Sequence, residues 1–546
     1  YLGSTYYWRH TSTSPVYRTV QAQSDGSFPS GNSGSLRYER PNARFYLVGS
    51  RNDSNSVALI SINNPTKGMA GGNHPVQVSI KNKGIATLDS CIINWTLNGV
   101  LQPSHVWRGN LQEDFNDTVT IGYYNQRLFS FDTIIIWVSM PNGEMDSVLN
   151  DDTLMIKPYG CHGPVAGDYI VGPGPGADVA SLEDALFIGS MCGINGNVTL
   201  KLQSGVYVSN WDFSDLADVM GNYTLTVTSL SVDKDSVIIQ TSSGDVVTLN
   251  NTSNLILSHI TLDGTNGNYA VNFTGTARNI VIENCNLLAS LTSSSTSYGC
   301  IYKPSTSGLL DGFTVKKCHI NGGYYGTYIY GTSSEYAQRI MIDSNIITNQ
   351  YYYGIYNYYV NSISTSYNTV TPRNVNQGTT WYGMHLYQNK NGGNIIGNKI
   401  HANNADITSS IYGLYTYYID SALVANNEIY LNSTATNTYG IYIDYPKGSK
   451  YLHNSVLITG STTTARALYW YVYSSDSYDA TVMNNLFITN TSGSTPYAIY
   501  LAGSYSSSYA SYYRINYNNY YSSGNLAYTG SAKATLSDWQ ADVISD

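Results

Sequence analysis

Charged residues are scarce in this chain of 546 residues, of which they make up 12%, and the formal net charge is −9. Binding nucleic acid through a surface needs a basic patch, and this composition offers none. The longest apolar run, Ile134–Val138, is far too short to span a bilayer. No methionine stands at position 1 and no apolar leader follows, so we expect a mature protein or an excised part of one.

Metal-binding cysteine patterns are missing too. None of the six cysteines forms a C-x-x-C pair, so a zinc site has little support, and we expect no metal and no other cofactor. Cys285 and Cys318 are expected to pack inside as free thiols, with a disulfide as the alternative. Cys161 and Cys192 are a candidate disulfide that would close a loop, and the sequence leaves the bonded and free states equally open.

What the chain does contain is a repeat. A Tyr-Gly phrase begins at Tyr298, and its second position recurs at intervals of 27 to 31 residues, at 299, 326, 354, 383, 413, 440, 467 and 498. Such a period indicates a stacked repeat. After the glycine, the first and third residues are mostly apolar and the second and fourth are mostly tyrosine, which is the alternation of a β-strand.

A second series runs in step with the first. Each member lies two residues before an apolar or aromatic residue. The members are Ser258, Cys285, Cys318, Ser344, Asn368, Asn398, Asn427, Asn454, Asn485 and Asn518. Each repeat therefore holds two short β-type runs, which predicts an all-β parallel β-helix with an inward ladder that hydrogen-bonds along the axis. At the spacing of β-strands, about eleven coils would form a rod roughly 50 Å long.

The chain divides into five predicted segments. Residues 1–54 are predicted to be the C-terminal part of a preceding β-domain. Residues 55–158 contain alternating runs at Val76–Ile80, Ser90–Leu97, Val119–Gly122 and Thr133–Val138 and the hairpin signal Asn98-Gly99, which predict an immunoglobulin-like β-sandwich. Residues 159–196 are predicted to form a linker and a capping helix, 197–529 the β-helix, and 530–546 a C-terminal cap with helical character near Leu536. Ser181 is the predicted N-cap of the first helix.

Several motifs resemble a known class of protein. Residues 167–172 (GDYIVG), the helix from Ser181, and residues 196–200 (GNVTL) look like the opening of right-handed parallel β-helix domains in secreted Bacteroidota surface proteins. Residues 76–156 resemble the CARDB-type adhesion module that often precedes such domains. The resemblance implies an extracellular or outer-surface location and type IX secretion, and it assigns no chemistry.

The same resemblance implies O-glycosylation at Asp-Ser/Thr followed by a small or apolar residue. The candidate acceptors are Thr118, Thr133, Ser147, Thr153, Ser236 and Ser421. Because three-residue motifs recur by chance, each remains a separate expectation.

No catalytic constellation is visible in the repeats. A β-helix hydrolase needs carboxylates that converge from adjacent coils, and the acids here do not share a column. Lys317 and Asp343 are predicted to form a surface ion pair. His385 replaces a tyrosine in the outward series and is expected to be solvated or stacked. We therefore predict no catalytic residue, and an enzyme is the less favoured of the two functional interpretations.

The outward tyrosines are the main functional clue. The predicted tyrosine face consists of Tyr328, Tyr330, Tyr356, Tyr358, Tyr387, Tyr415, Tyr417, Tyr442, Tyr469, Tyr471 and Tyr500. Tyrosine offers contact area with a polar tip and therefore suits sugars or another protein. The alternative interpretation is that the rings stack from coil to coil and only stabilise the rod.

The sequence thus favours a non-enzymatic extracellular surface or filament protein, with a β-helix stalk for adhesion, glycan binding or self-assembly. The expected partners are surface glycans or copies of the chain itself, within a larger polypeptide or assembly, and not nucleic acid or a membrane span. The alternative is a polysaccharide lyase or glycoside hydrolase of the β-helix type, which clustered carboxylates would favour.

Overall fold

The structure is a computed structural model. It describes residues 54–146, 148–216, 220–374, 377–378, 380–390, 393–404, 406–473, 479–503 and 513–542. Within residues 1–53 it describes only four strands, His10–Ser12, Thr19–Gln21, Ser35–Arg37 and Glu39–Pro41. The first strand pairs antiparallel with the fourth, and the second with the third. Most of the predicted segment 1–54 therefore lies outside the described residues.

The chain forms two compact units. The first comprises residues 1–66, 72–125 and 132–158, and the second comprises 67–71, 126–131 and 159–546. Both units are built from strands, and together with two α-helices they confirm the all-β fold class predicted from the sequence.

The first unit is an immunoglobulin-like sandwich of two antiparallel sheets. One sheet contains His105–Leu111, Leu88–Leu97, Ile134–Ser139 and Thr153–Ile156, with the short strand Val100–Leu101 at its side, and the other contains Asn116–Gln126, Gly72–Asn82 and Val57–Asn64. Alternate side chains of both sheets fill a common core around Trp95. Asn98 and Gly99 both have positive φ and join two antiparallel strands, which confirms the predicted hairpin.

The second unit is a parallel β-helix with three faces. The tyrosine face contains Trp211–Asp212, Val247–Leu249, Tyr269–Phe273, Gly299–Lys303, Tyr325–Tyr330, the first part of Tyr353–Ser366, Thr380–Lys390, Ser410–Tyr417, Asn437–Asp444, Thr464–Val472, Thr495–Gly503 and Asn525–Thr529. Its strands pair in parallel from coil to coil. The short strand Ala532–Lys533 adds antiparallel to the last of them.

The second face follows the tyrosine face in each coil. It contains Val165–Val171, Ile194–Leu202, Leu225–Ser229, Thr252–Ser258, Ala277–Glu283, Leu310–Lys316, Ala337–Asp343, the last part of Tyr353–Ser366, Asn394–Ile396, Leu423–Ala425, Ser449–Leu452, Ala480–Met483 and Tyr513–Asn516. The first of these strands lies within the segment 159–196, so that segment contributes a strand as well as a helix.

The third face is a separate parallel sheet of 12 strands. It contains Gly205–Val208, Val237–Gln240, Thr261–Gly264, Asn286–Ala289, His319–Asn321, Ile346–Gln350, Thr369–Pro372, Lys399–Asn404, Glu428–Ser433, Ser455–Gly460, Leu486–Thr491 and Asn519–Ser522. Inward side chains from the three faces form one continuous apolar core. This arrangement confirms the parallel β-helix predicted from the repeats.

A short helix packs on the core at each end of the β-helix. The first, α1 (Leu182–Cys192), has Ser181 as its N-cap, whose Oγ accepts from the Asp184 N–H, as predicted. The second, α2 (Leu536–Asp542), buries Trp539. Strand Gly68–Ala70 pairs in parallel with Tyr159–Cys161 beside α1. No described helix is long and apolar enough to cross a membrane.

The predicted inward ladder exists, with two corrections to its register. Asparagine side chains bond along the axis from Asn345 through Asn368, Asn398, Asn427, Asn454 and Asn485 to Asn518. The prediction of Ser344 is wrong: Ser344 is the preceding left-handed turn residue, and Asn345 points inward. The consecutive isoleucines cause the error, since Ile347 is buried whereas Ile346 is 54% exposed. Likewise Ile260, not Ser258, precedes Cys285 in the ladder.

Each ladder asparagine uses its whole amide. In Asn427 the backbone and side-chain N–H groups donate to Oδ1 of Asn454, and Nδ2 also donates to the carbonyl of Ile395. Its own Oδ1 accepts from the backbone and side chain of Asn398. The polar groups of the turns are thereby hydrogen-bonded inside a buried core, where an unpaired polar group is costly.

The glycines of the Tyr-Gly phrases from Gly326 to Gly440 lie where a Cβ would be too close to its neighbours. The first phrase is one residue out of register, because Gly299 pairs with Tyr325 and Cys300 takes the glycine position. A Cβ on Gly354 would lie 2.3 Å from Cγ1 of Val370, and one on Gly326 would lie 2.5 Å from the carbonyl oxygen of Gly354. Neither glycine has a positive φ. Glycine and the residue after it both point inward, so the strict alternation of the strand is broken at this position.

Candidate functional site

Three columns of side chains run along the tyrosine face, with one member from each successive coil. Column A contains Tyr325, Tyr353, Tyr382, Tyr412, Tyr439, Arg466 and Tyr497. Column B contains Tyr302, Tyr328, Tyr356, His385, Tyr415, Tyr442, Tyr469, Tyr500 and Tyr528. Column C contains Tyr330, Tyr358, Tyr387, Tyr417, Asp444 and Tyr471. All eleven tyrosines predicted for this face lie in columns B and C.

Most rings within a column stack on one another. The centroids of Tyr382 and Tyr412 are 4.5 Å apart with an interplanar angle of 3°, and those of Tyr500 and Tyr528 are 4.2 Å apart with the same angle. A few contacts are edge-on, such as Tyr358 with Tyr387 at 74°. Stacking from coil to coil, the alternative interpretation of the outward tyrosines, is therefore present.

Stacking decides which part of each ring meets the solvent. Because neighbouring rings in a column cover one another's faces, the outward surface consists of ring edges and phenol hydroxyls. Neighbouring rings in a column run side by side, as in Tyr387 and Tyr417, whose centroids are 4.2 Å apart with an interplanar angle of 14°. The face therefore offers rows of hydrogen-bonding groups at the coil spacing, and it offers few open ring faces on which a sugar could stack.

The phenols of this face stay neutral. Burial is the largest cause that raises the pKa of the hydroxyl groups of Tyr328, Tyr356 and Tyr415 above the usual value of a tyrosine. Charge is confined to a few substitutions within the columns. Apart from these substitutions, the tyrosine face is an uncharged surface with polar tips.

His385 interrupts column B. Its ring stacks on Tyr415 at 4.5 Å and 3° and on Tyr382 at 5.0 Å and 15°. Burial lowers the pKa of the imidazole to about 3, and neither ring nitrogen has a hydrogen-bond partner within the described part of the chain. His385 is therefore a neutral stacking residue, which is one of the two states expected for it.

Asp444 interrupts column C between Tyr417 and Tyr471, and its side chain is 5% exposed. Burial raises the pKa of this carboxyl to about 7, although hydrogen bonds from the Tyr473 side chain and the Tyr445 backbone act in the opposite direction. The sequence shows Asp444 among the scattered acids, but only the register places it among tyrosines.

Arg466 interrupts column A. Its guanidinium lies 3.9 Å from the ring centroid of Tyr500, and Nη1 donates to the hydroxyl of Tyr439 at 3.1 Å. These contacts hold the cation within the aromatic surface by a cation–π interaction. Arg466 thus adds one positive charge near the C-terminal end of the face.

Column A was missing from the predicted tyrosine face. The prediction took the first and third residues after each glycine as inward. If strict alternation continued towards the N-terminus of the strand, Tyr353 and Tyr382 would also point inward. The consecutive inward residues at each glycine instead place these tyrosines on the same side as column B. The recurring Tyr-Gly phrase was the available signal, because a tyrosine that recurs at every coil must stack with its equivalents.

The coil carboxylates are mostly bound to cations of neighbouring coils. Glu283 contacts Lys316 at 2.8 Å, and Asp311 contacts Arg339 at 2.7 Å. The predicted pair of Lys317 and Asp343 is wrong in register: Lys316 is the residue opposite Asp343 and also the partner of Glu283.

A glycosidase needs free space for water or sugar between its two carboxyl groups. Lys316 fills the space between Glu283 and Asp343. Nor does the described part of the chain contain a group of three or more His, Cys, Asp or Glu residues that could hold a metal ion.

The remaining predicted site residues lie away from this face. Cys161 and Cys192 form a disulfide, whereas Cys285 and Cys318 are buried and free. Of the candidate O-glycosylation sites, Thr118, Thr153 and Ser421 are exposed, Thr133 and Ser236 are half-buried, and Ser147 lies outside the described residues. Glycosylation at these positions stays a prediction.

Comparison with known proteins finds no match to a family model and none to a curated protein. A CARDB domain from Pyrococcus furiosus, solved in complex with di-metal ions, is 15% identical with a TM-score of 0.17, covering 20% of this chain and 94% of that one. The family 28 exopolygalacturonase of Yersinia enterocolitica is 10% identical with a TM-score of 0.22, covering 85% of this chain and 98% of that one. At such low TM-scores neither likeness bears on what this chain does.

Proposed function

We propose that this chain is a non-enzymatic extracellular surface protein in which the β-helix is a stiff stalk and the tyrosine face binds surface glycans. The ligand is held by phenol hydroxyls and ring edges along the columns. Secretion, and attachment to a larger polypeptide or assembly, belong to the same proposal.

One observation carries the proposal: the tyrosines begin part-way along the β-helix. The column B position is occupied by Asp212, Thr248 and Asn272 in earlier coils, and by aromatic residues from Tyr302 onward. The earlier coils form the same faces and the same continuous core without tyrosine columns. The fold therefore does not require the tyrosines, which supports a role for them in binding.

Charge and hydroxyl content favour a carbohydrate as the partner. A neutral surface rich in hydroxyls can exchange hydrogen bonds with a polyhydroxylated polymer without desolvating many charges. Rows of equivalent groups also allow many weak contacts to act together, so affinity grows with the number of engaged sites.

The test is a glycan-array measurement on the full chain, run beside a reducing-sugar release assay on the same polysaccharides. We expect binding without product, and loss of binding when Tyr356, Tyr415 and Tyr442 are changed to alanine. A matched control changes three strongly exposed tyrosines outside the columns, Tyr123, Tyr367 and Tyr517, which are 63%, 60% and 72% exposed, and should keep binding.

Two other results would replace this proposal. Release of new sugar ends or unsaturated products would favour the polysaccharide lyase or glycoside hydrolase alternative. Absence of both binding and product, with concentration-dependent association that the triple alanine variant abolishes, would make the face a self-assembly surface.

A further inference from the structure

A cavity lies between α1 and the first coils of the β-helix, apart from the tyrosine face. Its volume is about 490 Å³, and Leu186, Val198, Leu200, Leu216 and Leu225 form much of its wall. Small-molecule sites have volumes of about 300–1,000 Å³ and are lined mainly by apolar side chains. The cavity meets both conditions.

The walls of the cavity are held in place before any ligand arrives. The disulfide joins Cys161, at the end of a paired strand, to Cys192, the last residue of α1. Ser181 caps the other end of the helix. A preformed site avoids the entropic cost of ordering its walls on binding.

The distribution of polar groups indicates the kind of ligand. Two ionisable side chains that line the cavity, His162 and Asp178, are both exposed, and Asp178 accepts from the backbone N–H of Ile170. Tyr159 and Tyr169 also line the cavity, and the rest of its deeper wall is largely apolar because it consists of buried side chains such as Leu200, Leu216 and Leu225. Cavities lined by apolar side chains stay dry and take up apolar molecules.

We propose that this cavity binds one uncharged amphiphile, with an alkyl or acyl chain inside and a hydroxyl-type end at the mouth beside His162 and Asp178. The Asp178 carboxylate at the mouth disfavours an anionic head group by charge repulsion. This site is independent of glycan binding at the tyrosine face.

The test uses the full chain with its disulfide intact and the neutral fluorescent probe N-phenyl-1-naphthylamine, displaced by 1-dodecanol. We expect saturable binding of one probe per chain and full displacement by the alcohol. Ala185 lines the cavity on α1, so Ala185→Trp should fill it and weaken probe binding at least tenfold. The control Ala180→Trp, at an exposed position outside the cavity, should leave affinity unchanged.

A second variant guards against misfolding. Ile188→Phe adds a smaller volume to the same wall and should weaken binding by an intermediate factor, with the circular dichroism spectrum of the wild type. Non-saturable binding, failure of dodecanol to displace the probe, or equal affinity in folded Ala185→Trp and Ala180→Trp would overturn the proposal.

Discussion

The early and late coils of the β-helix share one backbone plan and differ in what they stack. The inward ladder is Ile260, Cys285 and Cys318 in the early coils and asparagine from Asn345 onward. The outward positions change at nearly the same point, from Asp212, Thr248 and Asn272 to columns of tyrosine. The same backbone thus accommodates both the early and the late set of inward and outward side chains. What the late coils add is a hydrogen-bonded asparagine ladder in the interior and a hydroxyl-rich surface, and only the surface is available to a partner.

The interior ladder offers the strongest test of this comparison. Asn427→Ala should lower the free energy of unfolding by about 3–4 kcal/mol, because it leaves the buried backbone N–H of Asn398 without its acceptor and removes the Nδ2 donor to Asn454 Oδ1 and to the Ile395 carbonyl. Cys285→Ala, at an early position of the inward ladder, should lower the free energy of unfolding by only about 1 kcal/mol, since mainly van der Waals contacts are lost. Urea denaturation measures both.

Asn403, on the outer side of the third face, supplies the matched control. It is exposed, and Asn403→Ala should change the free energy of unfolding by less than about 0.5 kcal/mol. Equal losses of stability for Asn427→Ala and Cys285→Ala would show that the early and late positions of the inward ladder stabilise the β-helix alike, which would contradict the difference between the two sets of coils.

The buried carboxyl of the tyrosine face gives a smaller effect with a definite pH dependence. The pKa of Asp444 is raised to about 7 in the folded chain, so this carboxyl favours folding below about pH 4 and opposes it increasingly as pH rises to 7. Asp444→Asn should therefore raise the free energy of unfolding by about 2 kcal/mol at pH 7 and leave it unchanged at pH 3.5. Thermal unfolding at the two pH values checks this, and an equal gain at both would contradict burial as the cause.

His385 should show the opposite dependence. Its pKa is lowered to about 3, so the unfolded chain takes up a proton more readily, and the contribution of this residue to stability falls as pH decreases from 6.5 towards 3. His385→Tyr makes column B continuous in tyrosine. Its gain in free energy of unfolding over the wild type should be about 1 kcal/mol larger at pH 5.5 than at pH 8. Unfolding curves of the variant parallel to those of the wild type over this range would mean that the imidazole is not buried among the rings.

The sequence predicts most of the fold and only part of the site. The ladder from Asn368 onward, the hairpin at Asn98 and the helix capped by Ser181 follow from residue type and spacing, which local chemistry determines. The register at Asn345 does not, because Ile346 and Ile347 both satisfy the same apolar pattern and only packing chooses between them.

The limits at the site have a similar physical origin. Column A depends on two consecutive inward residues at each glycine, and strand alternation does not anticipate this break. The positions of Asp444 and Arg466 among the tyrosines depend on pairing between coils, since the spacing of successive Tyr-Gly phrases varies from 27 to 31 residues. The covering of ring faces by stacking follows only once that pairing is known.

The most direct test of the account compares glycan affinity in the wild type and in a triple variant with Tyr356, Tyr415 and Tyr442 changed to phenylalanine. This change keeps the stacked rings and removes three hydroxyls, so stability should stay close to that of the wild type. If the hydroxyl rows bind the glycan, calorimetric titration should show affinity at least tenfold weaker, because neighbouring contacts act together. Unchanged affinity in the folded phenylalanine variant would contradict the claim that the hydroxyls of the tyrosine face are the binding groups.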